Sequence, residues 1–152
     1  MTNKIKIAFV CTGNTCRSPM AQFILKQKLK RNGFDYVEAS SFGIKVTEDK
    51  MNENAVKALQ HLNVKRTKFT PKQLKKPEMF DAIITMTKEQ KQYIKSSRSN
   101  VYSISELSSV GDIPDPYGQN IQEYIATAVL IDSACNDIIC LLGRLKNEDS
   151  NR

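Results

Sequence analysis

The sequence predicts an α/β fold of three layers: a four-stranded parallel sheet with helices on both faces. Three observations predict it. Short apolar runs of strand length alternate with segments of helical periodicity, in the order β-α-β-α-β-α-β-α. The chain's 152 residues suit one domain, so 1–152 is read as a single unit. Its 40% hydrophobic and 26% charged residues suffice for a core and do not fit a disordered chain.

Each element has its own signal. Residues 4–10 begin with alternation and end in the unbroken apolar run Ala8-Phe9-Val10, as a buried strand does. Ser18-Pro19 is read as N-cap and first helical residue of the helix that follows. Met20, Phe23, Ile24 and Leu29 are its buried stripe, and Gly33 its C-terminal stop. Residues 36–40 are a short second strand. Met51, Ala55, Ala58, Leu59 and Leu62 recur at helical spacing. Residues 80–86 are the third strand, and Thr87 with Gln90 makes a capping box that opens a helix to about Lys95. Residues 101–104 are the fourth strand. Ile121, Tyr124, Ile125, Ala128, Ile131, Cys135, Ile138 and Leu142 define a long last helix.

Charge is lopsided. The net charge is +7, but residues 1–98 carry 20 Lys and Arg against 8 Asp and Glu, whereas residues 99–143 carry six acids and no Lys or Arg. A uniformly basic coat is therefore excluded, and the basic stretch 65–76 reads as a solvated surface segment. No nucleic-acid motif is present, and aromatics are not interleaved with the basic stretch. No unbroken apolar run approaches the ~20 residues of a membrane span. Lys4 and Lys6 interrupt what would be an apolar signal segment, so a cytoplasmic protein is expected, with neither nucleic acid nor membrane as partner.

In sheets of this kind ligands bind beyond the carboxyl ends of the strands. There the chain reads Cys11-Thr12-Gly13-Asn14-Thr15-Cys16-Arg17-Ser18. Gly13 and Asn14 tolerate positive φ, so the backbone is able to curl with its N–H groups inward. The following helix points its positive end at this cup, which favours a phosphate-sized anion. Arg17 adds a planar fork for two phosphate oxygens. In such a field a cysteine is expected to ionise below its usual pKa of ~8.5, and Ser18 is placed to donate to the thiolate. A thiolate beside a bound phosphate needs a general acid for the leaving group. Asp115, stiffened by Pro114 and Pro116 in the second loop at that edge, fits this role, with Tyr117 as an aromatic wall.

These residues resemble the low-molecular-weight protein tyrosine phosphatase family. Cys11 to Ser18 match its Cys-x5-Arg-Ser signature, and Asp115-Pro116-Tyr117 its Asp-Pro-aromatic motif. The Ser41-Phe42-Gly43 and Met86 regions also follow its pattern. The resemblance implies a metal-free, cofactor-free hydrolase acting on phosphorylated proteins through a phosphocysteine. Cys11 is then the nucleophile, and Arg17 and the loop N–H groups hold the equatorial oxygens. Asp115 acts as acid and then as base, and inorganic phosphate is the product. Thr12, Gly13, Asn14, Thr15, Cys16, Ser18 and Tyr117 line the substrate, while Asn14, Ser18 and Ser41 hold the loop. Cys16 resembles the family's second loop cysteine, which protects the thiolate through a reversible disulfide. A monomer is expected.

Within the family, the run Cys-Thr-Gly-Asn-Thr-Cys-Arg-Ser-Pro resembles the bacterial protein-arginine phosphatase branch, where a threonine at the position of Thr15 goes with phosphoarginine preference. Phosphoarginine is placed ahead of phosphotyrosine as substrate on that residue. Two departures stand out. Phe69 occupies a position where the family commonly has a supporting His. One Tyr, not two, follows Pro116.

Other readings are weaker. An arsenate reductase of the same fold needs two more cysteines after the third strand, and residues 85–95 contain none. A catalytically idle module that binds phosphate or nucleic acid is suggested by the charge alone, with no RNA- or DNA-binding motif beside it. Cys135 and Cys140 lie ~140° apart on one helix, which suits core packing rather than zinc. His61, on a helix flank, reads as solvated or structural.

Overall fold

The computed structural model describes residues 4–150, so the sequence reading of Met1 to Asn3 and of the last two residues lies outside it. Four strands, β1 (Ile5–Cys11), β2 (Val37–Gly43), β3 (Ala82–Thr85) and β4 (Val101–Ser103), form one sheet in the order β2-β1-β3-β4. Every pairing is parallel. The central β1 is buried from Ile7 to Cys11, which explains its unbroken apolar run. Its register places Cys11 beside Gly43 of β2, at the carboxyl edge of the sheet.

Among the described residues the α-helices are α1 (Arg17–Arg31), α2 (Glu53–His61), α3 (Lys88–Lys91), α4 (Ile104–Leu107) and α5 (Ile121–Ser150). α1 ends as expected: Gly33 takes φ +74, the Phe34 N–H bonds the Leu29 carbonyl at 2.9 Å and the Gly33 N–H bonds that of Lys30 at 3.3 Å. α2 is capped by Asn52, whose side chain accepts from the N–H groups of Asn54 and Ala55. The α5 stripe is buried at Tyr124, Ala128, Ile131, Cys135, Ile138 and Leu142. By length and composition α5 passes for a membrane span, but this stripe packs into the core with α1 and α2.

Several expected boundaries move. Ser18 is not the N-cap of α1; Cys16 holds that position without a side-chain cap, because the Ser18 hydroxyl is engaged in the loop. β2 runs on to Gly43, since its end pairs with the Cys11 end of β1. β3 is shorter than residues 80–86: Phe80 closes a 3-10 turn over Pro77–Met79. The Thr87–Gln90 capping box forms, but α3 stops at Lys91. The N–H groups of Gln92, Tyr93 and Ile94 bond three residues back, tightening the chain out of the α-helix. Ile104 starts α4 instead of ending β4, behind a second capping box made by Ser103 and Glu106.

The two faces of the sheet are unequal. Ile7, Phe9 and Ile84 face a large core filled by Met20, Phe23, Ile24 and Leu25 of α1, Leu59 of α2 and the α5 stripe. Burial of each such large side chain contributes about 1.5–3 kcal/mol. The other face buries only Ala8, Val10 and Ile83, covered by half-buried side chains such as Leu74, Phe80 and Ile94. Cys11, at the carboxyl edge of β1, belongs to the larger core.

Candidate active site

The loop from Cys11 to Ser18 is held from inside by one buried residue. Asn14 takes φ +58 and is fully buried. Its Nδ2 donates to Ser18 Oγ at 2.8 Å and to Ser41 Oγ at 3.0 Å, and its Oδ1 accepts from the Lys72 backbone N–H at 2.9 Å. Ser41 Oγ in turn donates to Gln22 Oε1 at 2.6 Å. Asn14 thus ties the loop to β2, to α1 and to the 72–74 segment, which bridges Gly43. Gly13 is not at positive φ, and a Cβ there would meet nothing closer than Thr15 Oγ1 at 3.8 Å, so only half of the expected Gly13-Asn14 curl is present. The glycine that the loop does require is Gly43, where a Cβ would fall 2.9 Å from the Thr12 carbonyl oxygen and 3.1 Å from Asn14 Cβ.

Cys11 Sγ lies 2.9 Å from Ser18 Oγ. That hydroxyl accepts from Asn14 Nδ2, and its own proton has two acceptors in reach, the sulfur and the Phe42 carbonyl at 3.5 Å. The first turn of α1 carries no side-chain cap, so its N–H groups open toward the same space. Arg17 is buried to 7% exposure; its Nη1 donates to the Ile113 carbonyl at 3.1 Å and its Nη2 lies 3.6 Å from Asp115 Oδ2. Asp115 is itself turned by an Asx bond, the Tyr117 N–H donating to its Oδ1 at 3.1 Å. Cys11, Thr12, Gly13, Thr15, Cys16, Arg17, Asp115 and Tyr117 line one cavity of about 320 Å³. Asn14, Ser18 and Ser41 stand behind it as supports. Eight of the expected site residues therefore meet at one cavity, across 104 residues of chain between Cys11 and Asp115, whereas Asn14 and Ser18, expected to line the substrate as well, are fully buried behind it because their polar atoms are spent on the loop's own hydrogen bonds.

Cys16 lines the cavity and also reaches Tyr124, its Sγ donating to the Tyr124 hydroxyl at 4.0 Å. Burial pushes the Cys16 thiol above its ordinary value. Burial, then the neighbouring Cys16, pushes Tyr124 up to about 12. Both are therefore neutral at pH 7. The Cys135 thiol is also raised by burial, as a core residue, but Cys140 is exposed, which corrects the expectation that both pack in the core. His61 is exposed.

Residues 6–151 match the family model for low molecular weight phosphotyrosine protein phosphatase. The chain belongs to this family. It is 36% identical over 130 residues to the protein-arginine-phosphatase of Bacillus subtilis (strain 168), covering 80% of this chain and 85% of the relative. It is 31% identical over 143 residues to the low molecular weight protein-tyrosine-phosphatase PtpA of Staphylococcus aureus (strain MRSA252), covering 89% and 92%. Its fold superposes with a TM-score of 0.84 on a YwlE arginine phosphatase mutant bearing a phosphorylated active-site serine in place of a cysteine. That pair shares 30% identity over 91% of this chain and 96% of the other. The protein is accordingly an enzyme of the low molecular weight protein phosphatase class.

The structure adds groups that sequence reading missed. Lys45, Thr47 and Glu48 complete the cavity wall. Gln90, buried, donates from Nε2 to Thr12 Oγ1 at 3.2 Å while its Oε1 accepts from the Met86 and Thr87 N–H groups. The capping box marked Gln90 as a helix start but gave no sign of its reach to the loop. Phe69, at the position of the family's His, packs edge-on against Phe23 with centroids 5.9 Å apart. The Lys72 backbone N–H supports Asn14 instead.

Proposed function

We propose that this phosphatase hydrolyses phosphoarginine in proteins through a phosphocysteine at Cys11. The observation that carries the chemistry is the joint placement of Cys11 Sγ on the Ser18 hydroxyl and of Asp115 on Arg17 around one cavity. The phosphoserine-bearing YwlE structure supports a covalent intermediate at the equivalent position.

In the first step Cys11 Sγ attacks phosphorus and the bond from phosphorus to the guanidinium nitrogen breaks. Asp115 gives its proton to that nitrogen. Arg17 and the α1 N–H groups carry the charge on the three equatorial oxygens. In the second step Asp115 takes a proton from water, whose oxygen attacks phosphorus. The S–P bond breaks, Cys11 regains its electron pair, and inorganic phosphate leaves.

The cavity walls favour phosphoarginine. Thr12 and Thr15 present hydroxyls, and Asp115 and Glu48 present carboxylates, at the mouth where a guanidinium would sit. Beyond Thr15 the wall continues with Asp49 and Glu53, two acids against the single cation Lys50. A phosphotyrosine ring would meet one aromatic surface there, Tyr117, which is 73% exposed. That residue and the PtpA relative support phosphotyrosine as the second reading.

The test compares kcat/KM for phosphoarginine and phosphotyrosine peptides of one sequence, in wild type and Thr15→Ile. Wild type is expected to prefer phosphoarginine. Thr15→Ile is expected to move the ratio toward phosphotyrosine by roughly 10–200-fold, the range that a pocket change of this size commands. A ratio unmoved by Thr15→Ile would overturn the assignment of substrate.

A further inference from the structure

We infer that the lysine-rimmed groove on the thinly covered face of the sheet docks an acidic segment, carrying an apolar anchor, of the same phosphorylated protein whose phosphoryl group enters the cup. This rests on the phosphatase reading above.

The groove encloses about 620 Å³. Its floor is apolar, built from Phe42, Leu74, Phe80 and Met79, and its rim carries Lys75 and Lys76. No Asp or Glu lines it among the described residues. Met79 is 57% exposed, a large apolar side chain left beside the smaller cluster of the sheet. The wall is preformed. Asn100 Nδ2 donates to the Pro77 and Phe80 carbonyls at 3.0 and 2.7 Å, and Arg98 Nη1 to those of Glu78 and Phe80 at 2.9 Å each. These bonds fix the 3-10 turn that carries Met79, so a ligand would not bear the cost of ordering it.

The groove is continuous with the catalytic cavity. Leu74 and Lys75 also line a neighbouring depression that includes Ile44, Tyr93 and Lys95. Ile44 and Tyr93 in turn line a depression that reaches Lys45, Thr12 and Arg17. Those last three residues belong to the catalytic cavity as well. Along this path Glu89 is the one carboxylate among the described residues before the catalytic cavity itself. A chain whose phosphorylated side chain sits in the cup therefore has a surface path to the groove, and a ten-residue extended segment reaches up to ~33 Å along it.

The occupant follows from this chemistry. Lysines without acids select carboxylates, and the apolar floor selects a Phe- or Leu-like side chain. The excess of 20 basic over 8 acidic residues in 1–98 steers an acidic partner toward this half of the molecule. Single-stranded RNA would want a row of stacking aromatics, and among the described residues Tyr93 is the one strongly exposed aromatic on the path.

The experiment measures KM and kcat for the full chain on three probes: para-nitrophenyl phosphate, short phosphoarginine and phosphotyrosine peptides, and the same peptides with a ten-residue Asp/Glu-rich extension containing one Phe, placed on either side. The variants are Met79→Asp and the pair Lys75→Glu, Lys76→Glu, all exposed positions. The extension on one side is expected to lower the wild-type KM about tenfold, an effect that weakens with salt, and each variant to abolish that gain with kcat unchanged. Turnover of para-nitrophenyl phosphate is expected to be the same in all three proteins. Equal KM for short and extended peptides, equal loss on para-nitrophenyl phosphate, or stronger competition by an RNA oligonucleotide dependent on the same residues would overturn the docking site. Wild type inert toward para-nitrophenyl phosphate would instead sink the phosphatase reading beneath it.

Discussion

Replacing Asn14 by Ala removes three hydrogen bonds at once, of 2.8, 3.0 and 2.9 Å. Each is worth about 1 kcal/mol net, because the Ser18 and Ser41 hydroxyls find other partners only in part. Ala at φ +58 adds about 1 kcal/mol of left-handed strain, which Asn tolerates better. The expected loss is therefore about 4 kcal/mol, within the 5–15 kcal/mol that a domain typically has, so the variant still folds. Asn14→Gly loses the same bonds but meets this φ without strain, and is expected to be about 1 kcal/mol less destabilised than Asn14→Ala. Urea unfolding of wild type and both variants reads these differences, and para-nitrophenyl phosphate turnover reads the loop. Both variants are expected to lose at least tenfold in kcat, since Ser18 is no longer oriented on Cys11. Unfolding free energies within 1 kcal/mol of wild type for both variants would refute the claim that Asn14 holds the cup.

Further outcomes follow from the same contacts. Asp115→Asn is expected to lower kcat by about 10²–10⁴ with little change in KM, measured in steady state. Gly43→Ala forces a Cβ within 2.9 Å of the Thr12 carbonyl and is expected to cost more activity than Gly111→Ala, where a Cβ meets nothing within 4 Å. In native alkylation at pH 8, Cys140 is expected to react and Cys135 to be protected until unfolding, because burial both covers the Cys135 thiol and raises its pKa. Glu106 is held below its ordinary 4.5, first by its hydrogen bond from Lys91 and then by Ser103, so its contribution is present above that pH and lost as pH falls through the lowered value. Being exposed, it is worth less than about 1 kcal/mol, and Glu106→Gln is expected to flatten the acid limb of a stability–pH curve by no more than that.

Where local chemistry dictated structure, the sequence was readable. The apolar run of β1, the Gly33 stop, the Thr87–Gln90 capping box and the α5 stripe each depend on near neighbours, and each is present. The loop's composition and the Asp115 motif were enough to bring the cavity residues together on paper. What was not legible depended on long-range partners. Ser18 looked like an N-cap because Ser usually is one; its hydroxyl instead serves Cys11 and Asn14. Gly13 resembled the essential glycine of the loop, yet the crowding falls on Gly43, 30 positions on and opposite Cys11 in the sheet. The reach of Gln90 to Thr12 and of the Lys72 N–H to Asn14 spans 78 and 58 positions, with no periodicity to announce it. The unequal covering of the two sheet faces was likewise hidden, since the capping box at Thr87–Gln90 promised a helix to about Lys95 and α3 ends at Lys91, without a full helix's worth of cover.

The central claim is that Cys11 Sγ takes the phosphoryl group. Rapid denaturing quench of Asp115→Asn during turnover of a phosphorylated substrate, followed by peptide mass mapping, tests it directly. One phosphoryl group is expected on the peptide containing Cys11, and none on that peptide from Cys11→Ala. A phosphoryl group on another residue, or undiminished hydrolysis by Cys11→Ala, would contradict it.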